Sequence, residues 1–219
     1  MKRLDAIVSW LNGYQTAIDI GTDHGLVLKK ALDLNYIKNG IAADLREGPL
    51  LSARKNLSYY PVEFVLSNGF ERINHHFDVG IITGMGANLI AEILKGAPAD
   101  TKIIYILGAN DKPHLLREWL SNNQFRIIDE TIIFDGLYYQ LIKVIRGNAS
   151  LSKSDIYLGP ILKNRLTSLK FYNYQLNYYQ NLLTKVPLSG HENLNKIISY
   201  YQVGIKKLKM RMKQNVTII

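Results

Sequence analysis

No cysteine occurs among the 219 residues, which removes disulfide staples, thiolate metal sites and a cysteine nucleophile together. The five histidines are scattered, and the adjacent His75-His76 pair would diverge on a helix, so no metal is expected. Long apolar runs are also missing. The best of them, residues 41–43 and 103–107, fall far short of the ~20 residues that cross a bilayer. Met1-Lys2-Arg3 leads into a segment carrying Asp5, not into a secretory apolar core. A soluble cytoplasmic protein with no membrane partner is the expectation. Negative charge is scarce at one end of the chain. Residues 151–219 hold two acids against 11 Lys and Arg, whereas residues 1–150 balance at 16 each, so the whole net charge of +9 falls on the tail. A neutral body joined to a basic arm suits an acidic polymer. A solvated lysine-rich helix, with the basic balance partly a matter of genome composition, is the plainer alternative.

What is present is organised around Ala17-Ile18-Asp19-Ile20-Gly21-Thr22-Asp23-His24-Gly25. A short apolar strand, an acid, two glycines and a helix start make the floor of a cofactor site in a Rossmann-like unit. There the backbone can approach a ligand and the next helix presents free N–H groups. The spacing Asp19-x-Gly21-x-x-x-Gly25 differs from the dinucleotide fingerprint and is similar to the first motif of class I S-adenosylmethionine (SAM) methyltransferases. A helix over residues 4–11 precedes it, with Leu4, Ile7, Val8 and Leu11 on one face.

Downstream, residues 40–44 read as a central parallel strand ending on Asp44, an acid placed to accept from the ribose hydroxyls of a nucleoside cofactor. A helix N-terminal acid before Gly48-Pro49 is its structural alternative. Leu45 beside it is counted with the cofactor-binding candidates. A third strand over 62–66 runs into Ser67-Asn68-Gly69-Phe70. Asn68 could accept from an adenine amino group and Phe70 could stack on the ring, although Asn-Gly is also a common turn pair. A fourth strand over 78–83 meets a second glycine corner, Gly84-Met85-Gly86. A fifth over 102–107 leads through Asn110 to Asp111 and Pro113, which read as the cap and entry of the next helix. Two β-rich runs, 125–134 and 137–145, are joined at Asp135-Gly136, a strong hairpin cue. Parallel strands line the ligand crevice with their carboxyl ends, so both glycine corners, Asp44 and Asn68 converge there.

Residues 147–154 read as a polar linker, and the pattern then changes. Leu169, Tyr172, Leu176, Tyr179 and Leu183, then Leu194, Ile198, Tyr201, Ile205, Leu208 and Met212, step by three and four. The break at 186–190 folds them into an antiparallel coiled coil. Lys163, Arg165, Lys170, Lys185, Lys196, Lys206, Lys207, Lys209, Arg211 and Lys213 line it, dense enough to meet several phosphates at once. Tyr172, Tyr179 and Tyr201 are assigned to packing, while Tyr174 and Tyr178 stay open to base stacking.

These residues resemble the bacterial tRNA adenine-22 N1-methyltransferase family (TrmK). The likeness rests on Gly21-Thr22-Asp23-His24, on Gly84-Met85-Gly86-Ala87, and on Gly159-Pro160 ahead of a helical tail. It covers nearly the whole chain. Departures are Asn68-Gly69 where the family has Asp-Gly, Ala87 where it has a second Gly, and Leu26 and Leu28 where it has an aromatic and a proline.

The resemblance implies an α/β class I SAM-methyltransferase fold, a Rossmann-like seven-stranded sheet over residues 1–150, followed by the coiled-coil domain over 151–219 as a tRNA-recognition arm. It implies SAM as cofactor and methyl transfer to N1 of an adenine in the tRNA D-arm. The cofactor would be held by Asp19, Gly21, Thr22, Asp23, Gly25, Asp44, Leu45, Asn68, Gly69, Phe70, Gly84, Met85 and Gly86, with Asp23, His24 and Asn110 nearest the chemistry. A monomer is the expected state, although a helical hairpin can also dimerise. A non-catalytic RNA-binding protein on a degenerate scaffold, and a SAM methyltransferase with another substrate, are the alternatives.

Overall fold

Strands β1 (Thr16–Ile20), β2 (Asn39–Asp44), β3 (Val62–Leu66), β4 (Val79–Met85) and β5 (Ile104–Ala109) are short and mutually parallel. Of these, β1, β2, β4 and β5 are mostly buried and apolar, as strands covered on both faces must be, and β3 is only partly covered. The structure is a computed structural model that describes residues 2–216. It divides into two compact units, residues 1–149 and 150–219.

In the first unit the sheet order is β3-β2-β1-β4-β5-β7-β6. From β1 the chain steps outward to β2 and β3, then returns to place β4 on the other side of β1. That reversal opens a crevice at the carboxyl ends of β1 and β4, the point where doubly wound sheets bind ligands. Helices α1 (Lys2–Ser9), α2 (Leu26–Asp33), α3 (Glu47–Asn56), α4 (Ala87–Lys95) and α5 (Pro113–Asn122) accompany the strands. One core joins Ile7, Val8 and Leu11 at the start of the chain to Leu28, Ile81, Ile106 and Leu141.

The sheet is closed by the expected hairpin, β6 (Phe125–Asp135) and β7 (Leu137–Arg146), with Gly136 at φ +77° between them. β7 runs antiparallel to β5, and its last partner there is Ile142 opposite Leu107. β5 continues past Leu107 to Ala109, so residues 137–139, paired with 133–135 of β6, overhang the ligand edge of the sheet. At ~3.3 Å per residue the overhang is roughly 10 Å.

The second unit contains α6 (Lys153–Leu158), 3₁₀ turns at Leu162–Asn164 and Leu166–Ser168, α7 (Leu169–Leu183), a further turn at Leu188–Gly190, and α8 (His191–Val216). The polar-linker reading of 147–154 is corrected at its end. Ser152 caps α6 and Asp155 reciprocates in a capping box. The heptad reading gave α8 one apolar seam, but adjacent Ile197 and Ile198 are both buried, and Met212 is exposed. The stripe is wider because α8 packs on α6 as well as on α7. Tyr201 meets Tyr172 at 5.6 Å and Tyr179 at 5.7 Å between ring centres, and the Tyr172 hydroxyl donates to the Leu158 carbonyl at 2.7 Å. Those three tyrosines are packing residues, and Tyr174 and Tyr178 remain exposed.

The hairpin is mounted on α5 by a buried polar cluster. Arg117 donates from Nε to Glu130 at 2.7 Å and from a terminal nitrogen to Gln140 at 2.6 Å, with Arg117 and Glu130 fully buried. Removing the guanidinium strands a carboxylate in the interior. Arg117→Ala is expected to lower stability in urea unfolding by ~3–5 kcal/mol, and Arg117→Met/Glu130→Leu by much less.

Candidate functional site

At the end of β1 the chain turns through Gly21 at φ +78° and Gly25 at φ +68°. The N–H groups of Gly21 and Thr22 both donate to the Ala43 carbonyl, at 2.8 and 3.0 Å, which clasps the loop to β2. Gly21 is required twice over, because a Cβ there would lie 2.0 Å from the methyl of Met85 as well as forcing a left-handed backbone. Met85 thus lies against the first corner, and the two glycine corners meet as the topology requires.

The second corner is held from β5. The Asn110 side chain donates to the Gly84 carbonyl at 2.6 Å and its backbone N–H to the Met85 carbonyl at 2.9 Å. Asp111 accepts from the Ala87 N–H at 3.0 Å. The reading of Asp111 as the cap of α5 is therefore corrected. It caps α4 across the crevice, and the α5 N-cap position is Lys112, without a side-chain cap. The Asn110 amide NH₂ is likewise engaged in holding backbone.

At the end of β2, Asp44 is buried and accepts from the Arg46 N–H at 2.8 Å. Leu45 beside it is 66% exposed. Across the edge, the Ser67 N–H donates to the Asp44 carbonyl, and Asn68 gives its NH₂ to Glu71 at 2.8 Å, leaving the amide oxygen as an acceptor. Gly69 follows with φ +56°. Phe70 departs from expectation. Its ring is buried, stacked on Phe77 at 5.8 Å and edge-on to Tyr105 at 6.0 Å, so it belongs to the core and cannot cover a ligand.

Beside the end of β1 opens a cavity of about 410 Å³, whose lining does not include Asp44, Leu45, Asn68 or the Gly84-Met85-Gly86 corner. Asp19, Gly21, Asp23 and His24 line it, together with Thr83, Arg3, Asp135 and Tyr139, which the sequence did not assign to the site. Arg3 lies over the Tyr139 ring at 4.6 Å, and its N–H donates to Asp135 at 3.4 Å, so α1 and the hairpin together form one wall. Asp23 and His24 are exposed on the rim. His24 Nε2 is 3.5 Å from Asp23, its Nδ1 shares a hydrogen with the Ser52 hydroxyl at 2.6 Å, and its carbonyl accepts from Asn56 at 2.9 Å.

The deepest group is Asp19. Burial pushes its carboxyl up to about 6, with the Asp44 carboxylate acting in the same direction. The Thr22 hydroxyl opposes this, but its fully buried oxygen completes no hydrogen bond among the described residues. A buried acid facing a cavity, beside an orphaned hydroxyl, fits a ligand that brings an ammonium and its own donors.

With the folded carboxyl above its ordinary value, the penalty is absent below about pH 4, grows as the pH rises through 6, and is complete above it. Asp19→Asn is therefore expected to stabilise the ligand-free protein by ~2–3 kcal/mol at pH 8 and by little at pH 4, read from thermal and urea unfolding. Equal effects at both pH values would contradict a buried, ionised Asp19.

Comparison with known proteins agrees with this arrangement. The family model described as tRNA (adenine(22)-N(1))-methyltransferase matches residues 17–210. The tRNA (adenine(22)-N(1))-methyltransferase of Bacillus subtilis strain 168 is 28% identical over 212 residues, 89% of either chain. Among solved structures, Streptococcus pneumoniae Sp1610 in complex with S-adenosyl-L-methionine superposes with a TM-score of 0.82 at 26% identity, over 94% of this chain and 99% of that one. M. capricolum TrmK in complex with S-adenosyl-homocysteine gives 0.80 at 26% identity, over 94% and 97%. With the match spanning both units, the chain belongs to the TrmK family of tRNA (adenine(22)-N(1))-methyltransferases.

Proposed function

We propose that Asp19, Asp44 and the two glycine corners hold S-adenosyl-L-methionine along the carboxyl edge of the parallel strands, and that the basic helices of residues 150–219 engage tRNA. The reaction is that of the family, SAM-dependent methylation of N1 of adenine 22 in tRNA. The observation that carries the residue assignment is the buried Asp19 carboxylate at the cavity floor. It is suited to the methionine ammonium, and the Thr22 hydroxyl beside it to a polar atom of the same group. Asp44 is suited to the ribose hydroxyls, exposed Leu45 to one face of the cofactor's adenine, and the Asn68 oxygen, beside Gly69, to its amino group.

When bound, the cofactor supplies a methyl group already activated on a sulfonium. Neutral adenine offers a lone pair at N1, so no residue has to remove a proton before attack, and the chain contributes position and electrostatics. The positive charge passes from sulfur to the methylated ring and stays in the cavity, where Asp19, Asp23 and Asp135 lie. His24, with Nδ1 turned to Ser52, presents the other edge of its ring beside Asp23 on the rim. That places the pair to orient the target base.

In the second unit Lys163 is paired with Asp155, Lys196 with Glu192, and Arg211 with Asn164. Lys170, Lys185, Lys206, Lys207 and Lys209 are exposed, which leaves them suited to phosphates.

Asp44→Ala should weaken SAM binding by ~1–3 kcal/mol in calorimetry, through loss of a charged acceptor. Unchanged affinity would remove Asp44 from the site. Lys206→Ala/Lys207→Ala/Lys209→Ala should leave SAM affinity intact, raise KM for tRNA and lower the salt dependence of tRNA binding by a slope of about 2. An unaltered slope would show that these lysines do not meet RNA. Primer extension on tRNA treated with labelled SAM maps the product, and label at a base other than adenine 22 would refute the position.

A further inference from the structure

The tip of the β6–β7 hairpin has a composition its position does not explain. Turns that project into solvent are normally polar, yet Phe134 is 54% and Leu137 64% exposed on either side of Asp135-Gly136. Side chains alternate across a strand, so Leu137 shares a face with Asp135 and Tyr139, which line the cavity, and Phe134 and Tyr138 occupy the opposite face. The tip is therefore apolar on both faces, a thin blade and not one sticky patch. It is also stiff. Phe134 and Tyr138 are cross-strand neighbours with rings 5.0 Å apart, Arg3 holds Tyr139 and Asp135 to α1, and Arg117 holds Glu130 and Gln140 to α5.

This blade overhangs the edge of the sheet where the reaction occurs. The nucleophile there is a ring nitrogen that a stacked or paired adenine conceals, so the base has to leave its stack, at a cost of unstacking that some group must offset. Apolar side chains inserted into a base step do so by refilling the gap. We infer that the hairpin tip is an RNA wedge: Phe134 and Leu137 enter the stack vacated by the target adenine while the wall formed by Tyr139 of the same hairpin and Arg3 of α1 receives the extruded nucleotide. The inference rests on the tRNA-methyltransferase reading. It adds the partner surface, the nucleotides flanking the target, and two residues that act on RNA opening and not on the cofactor.

The test uses the full chain and Phe134→Ala/Leu137→Ala, with Phe134→Tyr/Leu137→Met as the conservative control. Both positions are exposed, so melting temperature and SAM affinity should match the wild type. Two RNAs are compared, tRNA transcript and a transcript whose target adenine lies in an open, unpaired loop. On tRNA the double alanine variant should lose about 10- to 100-fold in kcat/KM. On the opened RNA it should lose less than about 3-fold, and the conservative variant should retain activity on both. With 2-aminopurine at the target position and S-adenosyl-homocysteine present, the wild type should raise the fluorescence on binding, and the alanine variant should not. Equal losses on both RNAs, no loss on either, or a fluorescence rise preserved in the variant would overturn the wedge. So would sedimentation showing a dimer that the two alanines dissociate, since the tip would then be a contact between copies. Absence of methyl transfer by the wild type would instead refute the function on which the wedge depends.

Discussion

Asp19 is the constraint around which the crevice is built. A carboxylate at the end of a central parallel strand is surrounded by apolar neighbours and backbone already committed to the ladder, and burial holds its proton up to about pH 6. Folding alone gains nothing from a charge in that place. The sheet tolerates it because the strand order reverses beside β1 and leaves a cavity in front of the acid, into which a cationic group can come.

The loops around that acid are tied to one another. Met85 lies on Gly21, Asn110 holds the Gly84 carbonyl, Asp111 caps α4, and the Ala43 carbonyl clasps Gly21 and Thr22. Each of these contacts links neighbouring strand ends, so the edge is tied together along its length. Positioning is most of what a transfer from an activated methyl group to a free lone pair demands, and such an edge supplies it without a general base. Asp23 and His24 stand apart from this lattice on the exposed rim.

Much of this was legible in the sequence because periodicity and turn chemistry are local. The strands to β5, the Asp135-Gly136 hairpin and the convergence of the glycine corners follow from apolar runs and their punctuation. The readings that failed depended on distant partners. Asp111 beside Pro113 has the form of a local cap, but its carboxylate reaches Ala87 at the start of α4. Phe70 after Asn68-Gly69 looks available until Phe77 and Tyr105 are seen to enclose it. Arg3 and Tyr139 carry no motif and enter the site only because α1 and the hairpin share a wall. The helix at Lys153–Leu158 was a different omission, since Ser152 and Asp155 stand at the spacing of a capping box and six residues are simply few for a periodic signal.

The most direct test of the account is the affinity of SAM across pH 5 to 8 for the wild type and Asp19→Asn. A cation bound against an ionised Asp19 should hold its affinity above about pH 7 and weaken by up to tenfold per unit below pH 6, as the proton competes for the carboxylate. The variant, weaker throughout, should lose that dependence, which separates Asp19 from Asp23, Asp44 and His24 around it. A flat wild-type profile, or the same slope in the variant, would contradict the assignment of Asp19 as the anchor of the cofactor site.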